Sequence, residues 1–156
     1  MKTRRICTAV LTIGLLATLC FIWGNSMQSV EASQALSLGV LEKVRPVLEA
    51  MAGVGRVTDH LVRKLAHFAE FAALGMQLAL LLIMFGHVRL QSAINCLFFG
   101  LTIAVLDETI QIFTYRGSQL QDVWLDFFGF CAGLAAALGL YLLIKAARRR
   151  SSRGNA

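Results

Sequence analysis

The chain has 156 residues, 57% of them hydrophobic and only 15% charged, with a net charge of +6. A soluble domain carries nearer a quarter of charged residues, and the apolar residues here are grouped in blocks, which excludes an ordinary water-soluble globule. The positive balance needs no nucleic acid to explain it, because the basic runs sit beside apolar blocks, where such residues set membrane topology.

A membrane span takes about 20 mostly apolar residues to cross ~30 Å of hydrocarbon. Four blocks reach that length, at about residues 6–24, 65–86, 92–113 and 123–144. The expected fold is all-α, an integral membrane four-helix bundle forming one domain over residues 1–156. The first block competes with a secretory signal peptide, since a basic head precedes it and Val30-x-Ala32 resembles a cleavage site. Its apolar run is long for a signal peptide and ends in Phe21 and Trp23, which suit a membrane interface.

Residues 25–62 form the one long connection. Leu36, Val40, Val44, Val47, Leu48 and Met51 recur there at helical spacing, with Glu42, Lys43, Arg45 and Glu49 between them. This predicts an amphipathic interfacial segment between the first two spans. A connector is preferred over a ligand-gating lid. Pro46 is expected to bend or split it, residues 52–56 (AGVGR) to end it, and Thr58 or Asp59 to cap the next helix.

The short turn around His87–Leu90 makes spans two and three antiparallel neighbours. Cys7, Cys20, Cys96 and Cys131 lie in or beside separate spans with no C-x-x-C pairing, so they read as reduced structural thiols. With both termini cytoplasmic, the inner segments hold nine Lys or Arg and the outer segments six. That bias, and the basic tail over residues 145–156, predict a multi-pass cell-membrane protein with N- and C-termini inside. The tail is expected to touch anionic lipid headgroups.

The polar residues share one end of the bundle. Span one ends in Asn25, Ser26, Gln28 and Glu31, and span two begins with Lys64, His67 and Glu70. Span three ends in Asp107, Glu108 and Gln111, followed by Arg116, and span four begins with Asp122 and Asp126. Because spans alternate direction, all of these meet at a single face, which the Lys/Arg bias makes the outer one. At 100° per residue, Lys64, His67 and Glu70 step ~60° apart, while Asp107/Gln111 and Asp122/Asp126 are adjacent pairs four apart. Gly129 and Gly133 extend the Asp126 stripe as a G-x-x-x-G, at which another helix, including one from a second copy of the chain, can approach closely.

One Asp, Lys or Arg at mid-span costs about 2.5–3.5 kcal/mol on insertion scales. Five carboxylates facing Lys64, His67 and Arg116 therefore need pairing or protonation. The bland reading is an ion-pair network that only orients helices. The functional readings are a polar pocket in which Lys64 and Arg116 grip an anionic group, and acid/base chemistry by Glu70, Asp107 or Glu108 with His67 as orienter. Glu70, Asp107 and Glu108 with His67 are also a conceivable cation set, but one His among carboxylates is not distinctive for zinc, and neither metal nor cofactor is assigned. A small transporter is a third reading and would require oligomerisation.

The segments RKLAHFAEFAALG and DETIQIFTYRGSQLQDVWLDFFGFCAG resemble the VanZ-like family of bacterial membrane proteins. The family pattern falls on Lys64, His67, Glu70, Asp107, Glu108, Gln111, Arg116, Asp122, Asp126, Gly129 and Gly133, and Ser26 and Gln28 match its Ser-x-Gln. The similarity runs from about Ser26 to Gly133. Asp126 stands where the family usually has Asn, which adds a negative charge and makes protonation or a cation partner more necessary. The resemblance implies a cell-envelope protein and a link to low-level teicoplanin resistance, the phenotype behind the family's name. The partners expected are membrane lipids or a lipid-linked envelope component.

Overall fold

The computed structural model describes residues 2–52, 57–115, 117 and 119–154. They form five helices: α1 (Lys2–Ser26), α2 (Val30–Ala52), α3 (Asp59–Phe85), α4 (Leu90–Phe113) and α5 (Leu120–Gly154). Among the described residues no strand occurs. Four of the helices, all but α2, are long and apolar enough to cross a membrane. Their outer faces carry exposed Leu16, Phe98, Leu140 and Leu143, as lipid-facing helices do. In lipid only closed backbone hydrogen bonding is tolerated, which is why each apolar block is one unbroken helix.

α1 and α5 run past their apolar blocks at both ends, and α3 and α4 at the start only. For α5 the basic tail continues the helix to Gly154, because Ala146, Ala147 and the following arginines are good helix formers in water as well as lipid. α3 has sharp ends. Thr58 caps it by accepting from the Leu61 N–H at 3.2 Å, and Gly86, at φ +73°, closes it with N–H bonds back to the last turn. Thr58→Ala is expected to lower stability by about 1 kcal/mol, read as a lowered melting midpoint in detergent.

α2 departs from expectation in two ways. It passes through Pro46 as one helix, since the missing N–H removes a single backbone bond while Leu41, Val44 and Leu48 hold both halves against Val57 and Val62. Its buried face is also rotated from the predicted one. Ser33, Ser37 and Leu41 are buried and Val44 and Leu48 partly so, whereas Leu36, Val40 and Val47 are exposed. The cause is polar: the Ser37 hydroxyl donates to Asp59 at the start of α3, which turns this face inward and leaves the other apolar face outward, as an interfacial helix requires. Residues 53–56, with most of the predicted break, lie outside the described residues, as does the Met51 side chain.

α3 is the hub and meets every other helix; its tightest partner is α5. A Cβ placed on Gly133 would stand 1.8 Å from the Ala72 carbonyl oxygen, and one on Gly129 would stand 2.5 Å from that of Phe68. The predicted G-x-x-x-G contact therefore forms, but within the chain. Its groove is occupied by the α3 backbone at Phe68 and Ala72. From α3, Gly75 completes the same contact, its Cβ position lying 2.1 Å from the Phe130 oxygen. Without a hydrophobic force between helices in lipid, such backbone approach supplies much of the association. Phe130, fully buried, lays its ring where a Cβ on Gly100 would be, 2.4 Å away, and so locks α4 to α5. At the opposite end from the polar cluster, the Arg4 guanidinium donates to the Met84 carbonyl, tying the start of α1 to the end of α3. The cysteines are free thiols.

Candidate functional site

The ends of α1 and α4 and the starts of α3 and α5 converge, and the polar residues converge with them. Asp107, on α4, is fully buried. Its Oδ1 accepts from the Ser26 hydroxyl at 2.6 Å and its Oδ2 from Gln111 Nε2 at 2.9 Å. The same Gln111 amide donates to Glu108 Oε1 at 2.9 Å, so one neutral group serves two consecutive carboxylates from one helical turn away. Thr114 donates to the Ser26 carbonyl at 3.1 Å, which fastens the end of α4 to the end of α1. Hydrogen bonds onto a carboxylate, like those from Ser26 and Gln111, are about twice as strong as neutral ones when the acceptor is ionised.

Lys64, at the start of α3, is paired with Asp122 of α5 at 2.7 Å. One turn further on, His67 points its Nδ1 towards Asp107 Oδ2 at 3.9 Å. Glu70 turns to α1 and accepts from Asn25 Nδ2 at 3.1 Å. Asp126, on the turn after Asp122, is 1% exposed, and among the described residues neither of its oxygens has a hydrogen-bond partner.

These side chains border a cavity of about 380 Å³, within the size of small-molecule sites. Lys64, His67, Glu108, Gln111, Asp122 and Asp126 line it, whereas Glu70 and Asp107 are not among its lining residues. Arg116 lies outside the described residues. The lining also includes residues the pattern did not single out: Val30 and Gln34 from α2, His60 and Arg63 from α3, and Tyr115, Gly117 and Gln119 from the α4–α5 connection. Thus the first turns of the connector helix form part of the wall. Arg63 is paired with Asp59 at 2.8 Å, so it carries its own counter-charge at the rim.

Tyr115 is 91% exposed and adopts a left-handed backbone at φ +56°, a conformation rare outside glycine and often found at functional loops. No sequence signal marks it. Ser26 and Asn25 were legible as the polar end of α1, and Ser26 also in the Ser-x-Gln resemblance; their contacts with Asp107 and Glu70 are tertiary. The arrangement joins a bonded acidic floor to a rim with two basic groups, on side chains held by four different helices. It can therefore hold a polar group without rearranging the bundle.

No curated protein and no solved structure matches the chain. A sequence model of the VanZ/LLP1 family matches residues 10–145, a stretch that includes all of α2, α3 and α4 and every polar residue of the cluster. On that match, and with four helices able to span a membrane, the chain belongs to the VanZ/LLP1 family and is a multi-pass membrane protein.

Proposed function

We propose that this protein binds the polar head of an anionic or lipid-linked cell-envelope component in an outward-facing pocket. The observation that carries the reading is the cavity between α3, α4 and α5, whose lining combines Arg63 and Lys64 with Glu108, Gln111 and Asp126. Basic groups at the rim suit phosphate or carboxylate, while the acidic floor and the Gln111 amide suit hydroxyls and amides of the same headgroup. The excess of Lys and Arg at the other end and in the tail supports an outward-facing pocket. A role in teicoplanin resistance belongs to the same reading, as the phenotype of altered envelope-component handling.

Native mass spectrometry of protein extracted gently from its own membrane tests this. A lipid-linked species should be retained by the wild type, and Lys64→Ala or Gln111→Ala should cut retention by about tenfold, equivalent to about 1.4 kcal/mol. No retained species, from protein that still melts cooperatively, would count decisively against it. A second reading, an intramembrane acid/base enzyme, is favoured by the approach of His67 to the buried Asp107 beside Glu108 in the lining. In that case Glu108→Gln would abolish conversion of a membrane lipid extract and leave retention intact.

A further inference from the structure

We infer that His67, Asp107 and Asp126 hold one divalent cation at the floor of the cavity, of the Mn²⁺, Fe²⁺ or Zn²⁺ class. One donor atom from each of the three residues lies within 4.8 Å of the other two, and the His67 Nδ1 to Asp107 Oδ2 distance is 3.9 Å. Donors about 2.0–2.2 Å from a shared ion sit roughly 3–4 Å apart. The first pair already meets that spacing, and the third corner closes by roughly an ångström or less. The donors come from α3, α4 and α5, three helices already locked together, so the site needs no folding of a loop.

Asp126 supplies the independent indication. It is 1% exposed, and among the described residues neither carboxylate oxygen has a hydrogen-bond partner. The nearby Lys64 is engaged by Asp122. A carboxylate taken out of water without a counter-charge is costly by several kcal/mol, and a second buried carboxylate, Asp107, faces the same point. A divalent ion neutralises both at once, with a neutral imidazole as third ligand, and a single Lys would neutralise only one.

The support around these residues is that of a held ligand set. Ser26 and Gln111 each donate to one oxygen of Asp107, fixing the carboxylate plane as outer-shell partners of a metal site do. His67 and Asp126 line the cavity, so further coordination positions open into it. One imidazole with two carboxylates and no thiolate suits a first-row divalent ion better than Cu⁺, which prefers sulfur, or Mg²⁺, which prefers oxygen alone. A phosphate of the headgroup proposed above would complete the shell. That completion depends on the pocket reading; the three-residue site does not.

Full-length protein in detergent, stripped with a chelator and equilibrated with Mn²⁺ or Zn²⁺, tests the site by bound-metal analysis and thermal melting. The wild type is expected to hold one ion per chain and to melt at higher temperature with the ion than without. Asp126→Asn and His67→Gln are expected to weaken binding at least about a hundredfold and remove the thermal shift. Ser26→Ala, acting through Asp107, should weaken it about tenfold. Glu42→Gln, at an exposed position of α2 outside the cavity lining, should leave occupancy unchanged. Cooperatively melting wild type that takes up neither ion, or equal occupancy in wild type and both ligand variants, overturns the assignment. Uptake of Mn²⁺ by protein that retains no lipid upholds the cation site and removes the headgroup reading alone.

Discussion

Replacing Gly133 by leucine is expected to disrupt the α3–α5 pair and lower the melting midpoint in detergent by on the order of 10 °C. Even a bare Cβ there would sit 1.8 Å from the Ala72 carbonyl oxygen, and that oxygen belongs to a helix backbone that cannot swing aside. The two helices must separate along their whole contact, which includes Gly129 against Phe68 and Gly75 against Phe130. Overpacking in a core costs about 1–3 kcal/mol and sometimes more; here the added group is a full side chain, so the upper end applies. Alanine at the same position gains about 1 kcal/mol in helix propensity, which offsets part of the clash and makes Gly133→Ala milder. Gly139, on the same helix, has nothing within 4 Å of a Cβ, and Gly139→Leu should melt like the wild type. Equal melting of Gly133→Leu and Gly139→Leu would show that α5 does not pack on α3 through this stripe.

Asp107→Leu should loosen α1 from the bundle. The substitution keeps the branching at Cγ, adds some bulk and removes both carboxylate oxygens, leaving the Ser26 hydroxyl without its 2.6 Å acceptor. Gln111 loses one of its two acceptors but keeps Glu108, so the main loss falls on Ser26. An orphaned buried donor costs about 1–3 kcal/mol. Removing a negative charge beside Asp126 relieves some repulsion, an opposing effect that single-variant melting mixes with the first. A double-mutant cycle separates them: Ser26→Ala should cost about 1 kcal/mol or more in the wild type and almost nothing in Asp107→Leu. Additive effects would mean that the Ser26–Asp107 bond does not join α1 to α4.

Much of the architecture is readable from residue order. Each apolar block becomes one helix because hydrocarbon offers the backbone no other partner. The clustering of Lys64, His67, Asp107, Glu108, Asp122 and Asp126 at one end follows from alternating span direction alone, and Thr58 announces the cap of α3. The connector was less transparent. Its apolar residues fill more than one face, so spacing could not tell which face α3 would cover, and Ser37 made that choice through Asp59. Pro46 illustrates a local rule overridden by packing on both sides of it.

What the order of residues determined by itself is the number of spans, their lengths and the end at which the costly side chains gather, because burial in lipid and strict alternation leave few alternatives. What only the tertiary structure decided is pairing. It set Glu70 against Asn25 and away from the cavity, Lys64 against Asp122, and His67 against Asp107 with Asp126 beside them. Those partners depend on the rotation and closeness of neighbouring helices, which here were set by glycine contacts between α3 and α5, and no periodicity within a single helix records the angle at which another helix meets it.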